Sequence, residues 1–402
     1  MNVCGLIVEY NPFHNGHIYH IKEAQKATNA DCMIAVMSGS FLQRGEPAII
    51  DKFHRTKAAL LSGIDIVVEL PYVYAVQSSD LFAKGSVLTL NELGVGSICF
   101  GSESGDIQQF NQAYTTYIEK QASFQDMLKE ALKAGKSFPD ASKIAYESIG
   151  LTKDGMDLSR PNNILGFSYV KTILESKLAI QPLTIKRKNS EYHDTEITSS
   201  IASATSIRKQ IFDHHVQVST LKHTMPTATV DQLIAYNQEA TTFHHWENYF
   251  PLLHYRVMTM SHEELRLIHG VEEGIEHRIK KTAKDAHSFY EWVERIKTKR
   301  YTWTRIQRIF VHLLTNTQKT EIDILSKSIP YVRLLGMTNR GRDYLNKIKK
   351  DLNVPIYPKL TRDLHPMLRV EERASNAYYS ILPIKNRYAL MQQEFKGPIK
   401  LF

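Results

Sequence analysis

One short segment constrains the fold of this chain more than any other: an apolar run that leads into a histidine-containing turn and then into a helix. The apolar run is Val3–Val8, residues 11–17 read NPFHNGH, and a helical pattern follows at Ile18–Ala27. An apolar strand followed closely by a helix is typical of a parallel sheet that is covered on both faces. The segment therefore predicts an α/β fold with the turn at the carboxyl end of the first strand.

The same turn has the composition of a phosphate-binding site. The first N–H groups of a helix lack helical partners, and the helix dipole favours negative charge there. Gly16 has no Cβ, so the backbone can approach a purine or a phosphate closely. The imidazoles of His14 and His17 can donate hydrogen bonds to phosphoryl oxygens whose charge rises in a transition state. The turn therefore predicts a nucleoside triphosphate site.

The residues of the turn also allow two other interpretations. His14 and His17 can be ordinary turn and helix-cap residues, with Asn15 as the N-cap. His14, His17 and His20 could share one face and bind zinc, but no cysteine or carboxylate stands at a familiar ligand spacing around them. We therefore predict no protein-bound metal here.

Strand and helix patterns alternate through the rest of the first half. Strand patterns lie at Cys32–Met37, Ile64–Leu70, Ser97–Phe100 and Ile180–Ile185, and helix patterns lie at Lys52–Ser62 and Ser79–Leu93. Strands separated by helices form right-handed βαβ units, and ligands bind beyond the carboxyl ends of the strands. We therefore expect Asn11–His17, Ser38–Gln43 and Gly101–Ser104 to line one pocket.

Two later segments could add to such a pocket. Pro161 begins a helix whose first turn carries Asn162 and Asn163, and their amides can read an adenine edge or simply cap the helix. In Ser199–Gln210, hydroxyl groups precede a helix that carries Arg208. This arrangement is either a second phosphate clamp or a capping cluster.

Length and charge suggest how the chain is divided. At 402 residues it should form two or three domains. We predict an ATP-binding catalytic domain at 1–215, with a helical insertion at about 106–159, and a helical domain at 216–402. Residues 1–200 carry 19 Lys and Arg against 22 Asp and Glu, whereas residues 201–402 carry 31 against 20. This imbalance favours a polyanionic partner for the second half.

A basic and aromatic segment in that half is the candidate RNA contact. Residues 296–312 read IKTKRYTWTRIQRIFVH, and a second basic block follows at Arg333–Lys350. Cations neutralise phosphates and exposed aromatic rings stack on unpaired bases. The alternative is that Tyr301, Trp303 and Phe310 are core residues with solvated cations behind them. The predicted RNA-binding residues are Lys297, Lys299, Arg300, Arg305 and Arg308.

Other features indicate where such a protein works. No apolar run is long enough to span a membrane, and the N-terminus does not resemble a secretory signal. Cys4, Cys32 and Cys99 lie in apolar runs and are expected to be free thiols in a reducing cytoplasm.

These motifs resemble those of a known superfamily. Residues 12–17 resemble the P-x-x-x-G-H element of the nucleotidylyltransferases, and Ser203–Arg208 resembles their I-S-[ST]-T-x-I-R element. Several longer stretches resemble the bacterial tRNA(Met) cytidine acetate ligase family, and the resemblance extends over most of the chain. These stretches are Gly5–His20, Met37–Pro47, Asp51–Pro71, Arg160–Gly166 and Lys297–Ile309.

The resemblance implies a fold, a site and a reaction. The fold is a Rossmann-like parallel-sheet nucleotidyltransferase domain followed by an α-helical RNA-binding domain. His14 and His17 are the implied catalytic residues, and Ser206 and Arg208 the phosphate-binding ones. Asn163, Lys186 and Lys188 stand beside two of the implied ATP contacts. The implied ATP contacts are Ile7, Val8, Glu9, Tyr10, Asn11, Pro12, Phe13, His14, Asn15, Gly16, His17, Ile18, Tyr19, His20, Gly101, Asn162 and Arg187.

Members of that family use ATP, with Mg²⁺, to convert free acetate into acetyl-adenylate and pyrophosphate. They transfer the acetyl group to the exocyclic amine of the wobble cytidine of elongator tRNA(Met), which gives N4-acetylcytidine. The residues also allow a small-molecule adenylyl- or cytidylyltransferase of the same superfamily, or an RNA-binding protein with an inert nucleotide pocket.

Overall fold

The apolar run before the histidines is the central strand of the sheet. A computed structural model describes residues 1–152, 156–187, 202–361 and 365–402. Val3–Val8 pairs in parallel with Cys32–Ser38 on one side and with Ser97–Ser102 on the other. The strands are β1 (Val3–Val8), β2 (Cys32–Ser38), β3 (Ile66–Leu70), β4 (Ser97–Ser102), β5 (Gln181–Lys186), β6 (Val332–Thr338), β7 (Ile356–Tyr357) and β8 (Ile399–Leu401).

The strand order of the sheet is β5-β4-β1-β2-β3-β6-β7, and β8 pairs with β6. The first five strands in chain order are parallel to their neighbours within this group, so their carboxyl ends lie at one edge. This arrangement confirms the predicted parallel sheet. It also confirms that the segments after β1, β2 and β4 share that edge.

Helices connect these parallel strands. Asp51 caps α2 through a hydrogen bond from His54 N, and Ser137 caps α7 in the same way. The helices of this half are α1 (Asn15–Thr28), α2 (Lys52–Leu61), α3 (Tyr72–Ala75), α4 (Ser79–Glu92), α5 (Ile107–Glu119), α6 (Gln121–Lys133), α7 (Phe138–Ser148), α8 (Pro161–Glu175) and α9 (Ala204–Phe212).

The second half is mainly helical, as predicted. Its α-helices are α10 (Thr227–Ala240), α11 (Trp246–Thr259), α12 (His262–Leu267), α13 (Ile275–Ala283), α14 (Phe289–Ile296), α15 (Trp303–Leu314), α16 (Lys319–Leu325), α17 (Asn339–Ile348), α18 (Pro366–Tyr379) and α19 (Ile384–Met391), with 3₁₀ turns at Val218–Leu221 and Gln392–Glu394.

The second half also supplies three strands that the sequence pattern did not predict. β6 runs antiparallel to β3, and β7 and β8 pair with β6. The pattern of β6 is interrupted by Arg333, which made the segment look like a basic surface block. β7 and β8 are too short to show a period. The predicted boundary at residue 215 therefore does not confine the sheet to the first half.

The core lies on both faces of the sheet, because successive side chains of a strand point to opposite faces. Ile34 and Val36 belong to the larger apolar cluster, whereas Met33 and Ala35 belong to the smaller one, which also contains Ile21 of α1. The three cysteines are buried free thiols. Among the described residues, no helix is both long enough and apolar enough to cross a membrane.

A group of buried charged residues, which we call the buried charge cluster, joins the sheet to the C-terminal helices. Lys52 Nζ lies 2.8 Å from Glu69 Oε2 and 2.7 Å from Glu394 Oε1. Arg333 Nη2 lies 3.3 Å from Glu394 Oε2, and Ser375 donates to Glu394. Burial alone would lower the pKa of Lys52, but Glu394 and Glu69 outweigh this effect and raise it. Opposite charges therefore balance one another inside the core.

Candidate active site

The turn after β1 places the first histidine at the start of α1. Tyr10 has a left-handed backbone conformation with φ of 51°, and the Asn11–Pro12 peptide bond is cis. His14 is the N-cap of α1, and its Nδ1 accepts a hydrogen bond from Gly16 N at 3.1 Å. The prediction of Asn15 as N-cap is therefore wrong. An imidazole nitrogen performs the capping here, and the preference for Asn at N-caps did not indicate this.

His17 completes a reciprocal cap. Its Nδ1 accepts a hydrogen bond from His14 N at 3.1 Å, so each ring satisfies one backbone N–H group. A neutral imidazole whose Nδ1 accepts must carry its proton on Nε2. The ring centroids of His14 and His17 are 3.8 Å apart. Capping and catalysis are thus compatible, because the caps use Nδ1 and leave two neighbouring Nε2–H donors.

Burial keeps these rings neutral. It lowers the pKa of His14 to about 3, and Arg187 and Arg208 act in the same direction. Burial also lowers the pKa of His20 to about 4 and that of His17 well below its usual value. At pH 7 each neutral imidazole still donates a hydrogen bond through its Nε2–H group, although the ring carries no net charge. The turn can therefore stabilise oxygen atoms that gain negative charge.

Several buried polar atoms of this segment have no hydrogen-bond partner among the described residues. They are the hydroxyl of Tyr10, Nδ2 of Asn11 and Nε2 of His20, and Ser38 Oγ at the end of β2 is in the same state. A buried unpaired polar group costs about 1–3 kcal/mol. A polar ligand that met some of these atoms would remove that cost.

The end of β4 and the start of α8 form another side of the site. Glu103 accepts hydrogen bonds from Asn162 Nδ2 at 2.7 Å and from Asn163 N at 2.7 Å. Arg187 Nη1 lies 3.4 Å from Asn162 Oδ1, and a Cβ on Gly101 would lie 3.4 Å from Arg187 Cγ. Gly101, Asn162 and Arg187, which lie far apart in sequence, are thus brought together.

The residues next to Asn162 and Arg187 in the sequence differ from them in contacts and exposure. The buried Asn163 accepts hydrogen bonds from the backbone N–H groups of Glu103 and Ser104, so its amide holds the β4–α5 loop. Lys186 is exposed. Lys188 lies outside the described residues.

The predicted phosphate clamp contains one residue that reaches the turn. Arg208 donates to Asn11 O at 2.8 Å and forms an ion pair with Glu46 at 2.9 Å. Ser206 has no exposed surface, and its hydroxyl donates to Ser203 O. Ser203 caps α9, so the hydroxyl groups fit the capping alternative. Residues 199–201 lie outside the described residues.

Arg55 is a component of the site that sequence reasoning missed. Its guanidinium is buried and donates to Glu9 O at 2.7 Å, to Ser38 O at 3.0 Å and to Gly39 O. It therefore ties the loop after β1 to the loop after β2. Lys52, His54 and Lys57 stand beside it in the sequence, so no local pattern indicated that this particular cation is buried.

Glu9 connects the turn to the loop between Phe41 and Pro47. Its Oε1 accepts a hydrogen bond from Gln43 N at 2.8 Å. Burial raises the pKa of Glu9, and the neighbouring Glu46 acts in the same direction. A carboxylate with a raised pKa is a stronger base, so Glu9 can accept a proton more readily than an ordinary glutamate.

The candidate RNA-contacting cations differ in their surroundings. Arg300 and Arg305 lie 2.7 and 3.2 Å from Glu273 oxygens, so their charges are partly neutralised. Lys297 lies 3.5 Å from Glu294, and Lys299 is exposed. Arg308 is half-buried, and no carboxylate of the described part of the chain lies within 4 Å of it.

The aromatic residues of the same segment also differ. Tyr301 and Phe310 are buried, as in the core alternative, whereas Trp303 is half-buried and stacks at 5.9 Å on Tyr290, which is 51% exposed. Arg333, predicted to begin a second basic block, is instead buried in the charge cluster. Its partner Glu394 lies too far away in the sequence to be recognised.

Comparisons with known proteins agree with this geometry. Residues 1–394 match the HIGH Nucleotidyl Transferase family. A protein of Oceanobacillus iheyensis named tRNA(Met) cytidine acetate ligase is 56% identical over 399 residues, which cover 99% of this chain and 100% of the relative. A Bacillus subtilis protein of the same name is 46% identical, with 96% and 93% covered.

Solved structures give the same result. TmcAL of Thermotoga maritima in its apo form superimposes with a TM-score of 0.92 at 33% identity, and both chains are covered completely. The same protein bound with alpha-thio ATP superimposes with a TM-score of 0.89 at 32% identity, again with complete coverage.

Proposed function

The chain belongs to the HIGH nucleotidyl transferase family and, within it, to the tRNA(Met) cytidine acetate ligases, and from this premise we propose how its residues divide the reaction. The enzyme is an ATP-dependent ligase that modifies tRNA. Activation of acetate is assigned to the turn after β1, and recognition of tRNA to the helical half.

One observation carries the assignment of the catalytic residues: His14 and His17 both use Nδ1 for capping and present Nε2–H. In the proposed first step, an acetate oxygen attacks the α-phosphorus of ATP and the bond to pyrophosphate breaks. The two Nε2–H groups donate to phosphate oxygens as their charge rises. Arg208, which hydrogen-bonds the same turn, adds positive charge. This mechanism needs positioning and charge neutralisation but no covalent enzyme intermediate.

Gly101, Asn162 and Arg187 are proposed to contact the adenosine part. The glycine leaves room beside Arg187, and Asn162 presents its amide where β4 ends. The turn residues from Ile7 to His20 are proposed to surround the phosphates. Mg²⁺ is proposed to arrive with the triphosphate, since this ion is commonly bound through substrate phosphates and waters. Among the described residues, no group of three metal-binding side chains was found.

In the proposed second step, the amine nitrogen of the wobble cytidine attacks the acetyl carbon. AMP leaves, and the amine loses one proton. The amine is a poor nucleophile because its lone pair is delocalised into the ring, so prior activation of acetate is required. Glu9 and the loop from Ser38 to Glu46 are proposed to face this step. The reaction is proposed to take place in the cytoplasm.

The decisive experiment follows isotopes through both steps. Purified protein should exchange labelled pyrophosphate into ATP only when acetate is present, without tRNA. With labelled acetate and a tRNA pool, mass analysis should find the label on one cytidine of tRNA(Met). Transfer of a nucleotidyl group to a metabolite would instead indicate a small-molecule transferase. Salt-dependent tRNA binding without pyrophosphate exchange would indicate an inert nucleotide pocket.

A further inference from the structure

Two aromatic rings are stacked at the surface where α14 and α15 begin. The ring centroids of Tyr290 and Trp303 are 5.9 Å apart, and the angle between the ring planes is 23°. Tyr290 is 51% exposed, whereas Trp303 is half-buried and packs against the core. Because Trp303 covers one face of the Tyr290 ring, the exposed area lies on the other face and the edges. We call these two rings the aromatic platform.

The backbone that carries the aromatic platform is fixed by hydrogen bonds and ring contacts. The Glu247 carboxylate accepts hydrogen bonds from Phe289 N at 2.9 Å and from Tyr290 N at 3.1 Å. The Phe289 ring is stacked on Trp246, with centroids 4.3 Å apart. A ring that is held in place before binding loses little conformational freedom when a ligand packs on it. The exposed face of Tyr290 is therefore preorganised.

The same contacts connect the aromatic platform to the catalytic turn. Trp246, which stacks on the neighbour of Tyr290, donates from Nε1 to Gly45 O at 3.0 Å. Glu46, the next residue, pairs with Arg208 at 2.9 Å. Arg208 also donates to a backbone carbonyl of the turn at 2.8 Å. The aromatic platform and the turn are thus joined through one loop.

The charges near the Tyr290 hydroxyl favour a base over a phosphate as the ligand of the ring. Partial burial raises the pKa of Tyr290, the carboxylates of Glu46, Glu247 and Asp213 raise it further, and Arg208 lowers it. Three carboxylates within electrostatic range disfavour a phosphate on the ring itself. A neutral base can stack there, because every base has an aromatic face, and its amino groups can donate to a carboxylate.

Cations for an RNA backbone stand beside the rings. Lys297 Nζ lies 6.0 Å from the centre of the Trp303 ring, and Lys297 is exposed. The exposed Lys299 also belongs to the short segment between α14 and α15. Cations next to an exposed aromatic ring are the combination that binds single-stranded nucleic acid. This combination favours RNA over a protein partner.

We propose that the aromatic platform stacks on an unpaired base of the substrate RNA next to the modified cytidine. The inference rests on the proposed function and adds to it a contact with a base. The wobble cytidine lies in an unpaired loop, whose bases can be splayed out and stacked on aromatic side chains. A base that neighbours the cytidine is the expected ligand, because one loop separates the aromatic platform from the turn to which acetate activation is assigned.

The test combines variants of the protein with variants of the RNA. The probe is a hairpin with the anticodon stem and loop of tRNA(Met), and in two further hairpins the base before or after the cytidine is missing while all phosphates remain. Fluorescence anisotropy should show that Tyr290→Leu binds the complete hairpin about tenfold more weakly than the wild type, as for loss of one stacked base. One of the two missing bases should weaken wild-type binding similarly but leave binding by Tyr290→Leu unchanged, because that contact is already lost.

Three controls separate stacking from other causes. Tyr290→Phe keeps the ring and should bind like the wild type, and a loss in this variant would contradict stacking. The slope of log affinity against log salt concentration should be the same for Tyr290→Leu and the wild type, because no phosphate contact is removed. Tyr255→Leu removes a tyrosine that is 71% exposed on α11, and it is the matched control that should leave binding unchanged.

The possible outcomes distinguish this inference from the proposed function. If each missing base weakened the wild type and Tyr290→Leu equally, in an enzyme that acetylates tRNA, the inference alone would be overturned. Binding of the complete hairpin by Tyr290→Leu with wild-type affinity would also overturn it and would assign the rings to packing or to a protein partner. A wild-type enzyme without acetate-dependent pyrophosphate exchange and without acetylation of tRNA would overturn both.

Discussion

The histidine turn and the buried charge cluster both place polar side chains inside the protein, but they differ in what those side chains meet. In the charge cluster, Lys52 contacts two carboxylates and Arg333 contacts one of them. In the turn, Asn11 and His20 have buried atoms that meet no partner among the described residues. The charge cluster balances its charges internally, although Arg333 Nε has no hydrogen-bond partner among the described residues, whereas the segment around the turn leaves several neutral polar atoms unused.

This difference separates a polar group that holds the structure together from one that awaits a ligand. A buried ion pair that loses one partner leaves an uncompensated charge, so its removal acts on folding. A buried donor that is unused in the free protein does not stabilise the fold, so its removal should not destabilise the protein and acts instead on binding and catalysis. Substitutions in the charge cluster should therefore change stability, whereas substitutions in the turn should mainly change activity.

Lys52→Met should lower the free energy of unfolding by about 3–5 kcal/mol, because Glu69 would lose its cation and Glu394 would keep only Arg333. Denaturant unfolding measures this loss. The double variant Lys52→Met/Glu69→Gln should regain part of it, because Arg333 and Glu394 then remain as a pair. A loss below about 1 kcal/mol would show that the cluster is not structural.

His17→Ala should reduce acetate-dependent pyrophosphate exchange by about 10²–10³-fold, the typical cost of removing one donor to a developing charge. Its free energy of unfolding should fall by only about 1 kcal/mol, because one cap contact is lost. His54→Ala, outside the turn, is the control for exchange. Full exchange by His17→Ala would exclude this residue from the chemistry.

Acidification should destabilise the free protein through the turn. The folded pKa of His14 is about 3 and that of His20 about 4, whereas unfolded histidine has a pKa of about 6.5. The unfolded state therefore takes up more protons, so stability is complete above about pH 6.5 and is lost as the pH falls below it. Lowering the pH by about one unit from there should cost on the order of 1–2 kcal/mol.

Unfolding curves at several pH values measure this effect. His14→Asn keeps an N-cap acceptor but removes one titrating group, so it should flatten the acidic decline. His54 should have the opposite effect on how stability depends on pH. Burial opposes its protonation, but Asp51 outweighs burial and raises the pKa of His54. The contribution of His54 to stability is complete below about pH 6.5 and is lost as the pH rises through the raised pKa. An acidic decline that is unchanged in His14→Asn would contradict the assignment.

The smallest effect is expected for Arg300→Met. Arg300 is exposed and pairs with Glu273, so its charge is partly offset. tRNA affinity should fall by less than about 1 kcal/mol, and the salt slope should change less than in Arg308→Met. Fluorescence anisotropy with a tRNA(Met) transcript, measured over a range of salt concentrations, compares the affinities and salt slopes of Arg300→Met and Arg308→Met. A larger effect for Arg300→Met would show that the ion pair with Glu273 opens on binding RNA.

Local sequence was sufficient for the structure of the histidine turn and for most of the sheet. β1, the turn and α1 are contiguous, so an apolar run and a glycine next to histidines predicted the structure, whereas the chemistry of the turn stays a prediction. The resemblance supplied Gly101, Asn162 and Arg187, which the fold brings together. Helix capping by the histidines was one of the two interpretations that the sequence allowed, but the N-cap was placed at Asn15 and not at His14, because the preference for Asn at that position is only statistical.

Contacts between distant residues set the limit of the sequence argument. β6 was missed because Arg333 interrupts its apolar pattern, and only the fold shows that Glu394 neutralises this charge. The difference between Arg305 and Arg308 depends on Glu273, which is far from both in the sequence. The role of Arg55 could not be predicted, because its backbone acceptors belong to two loops that meet only in the folded chain.

The position of β6 and β8 in the sheet has a consequence for biosynthesis. During translation, β1 to β5 leave the ribosome long before residues 332–338 and 399–401, and Lys52 is made long before Glu394. One edge of β3 therefore stays without its neighbour β6, and the ammonium group of Lys52 stays without Glu394, until these later segments have been synthesised. Nascent chains should acquire protease resistance and ATP affinity late and together, at about the time the final segment clears the exit tunnel.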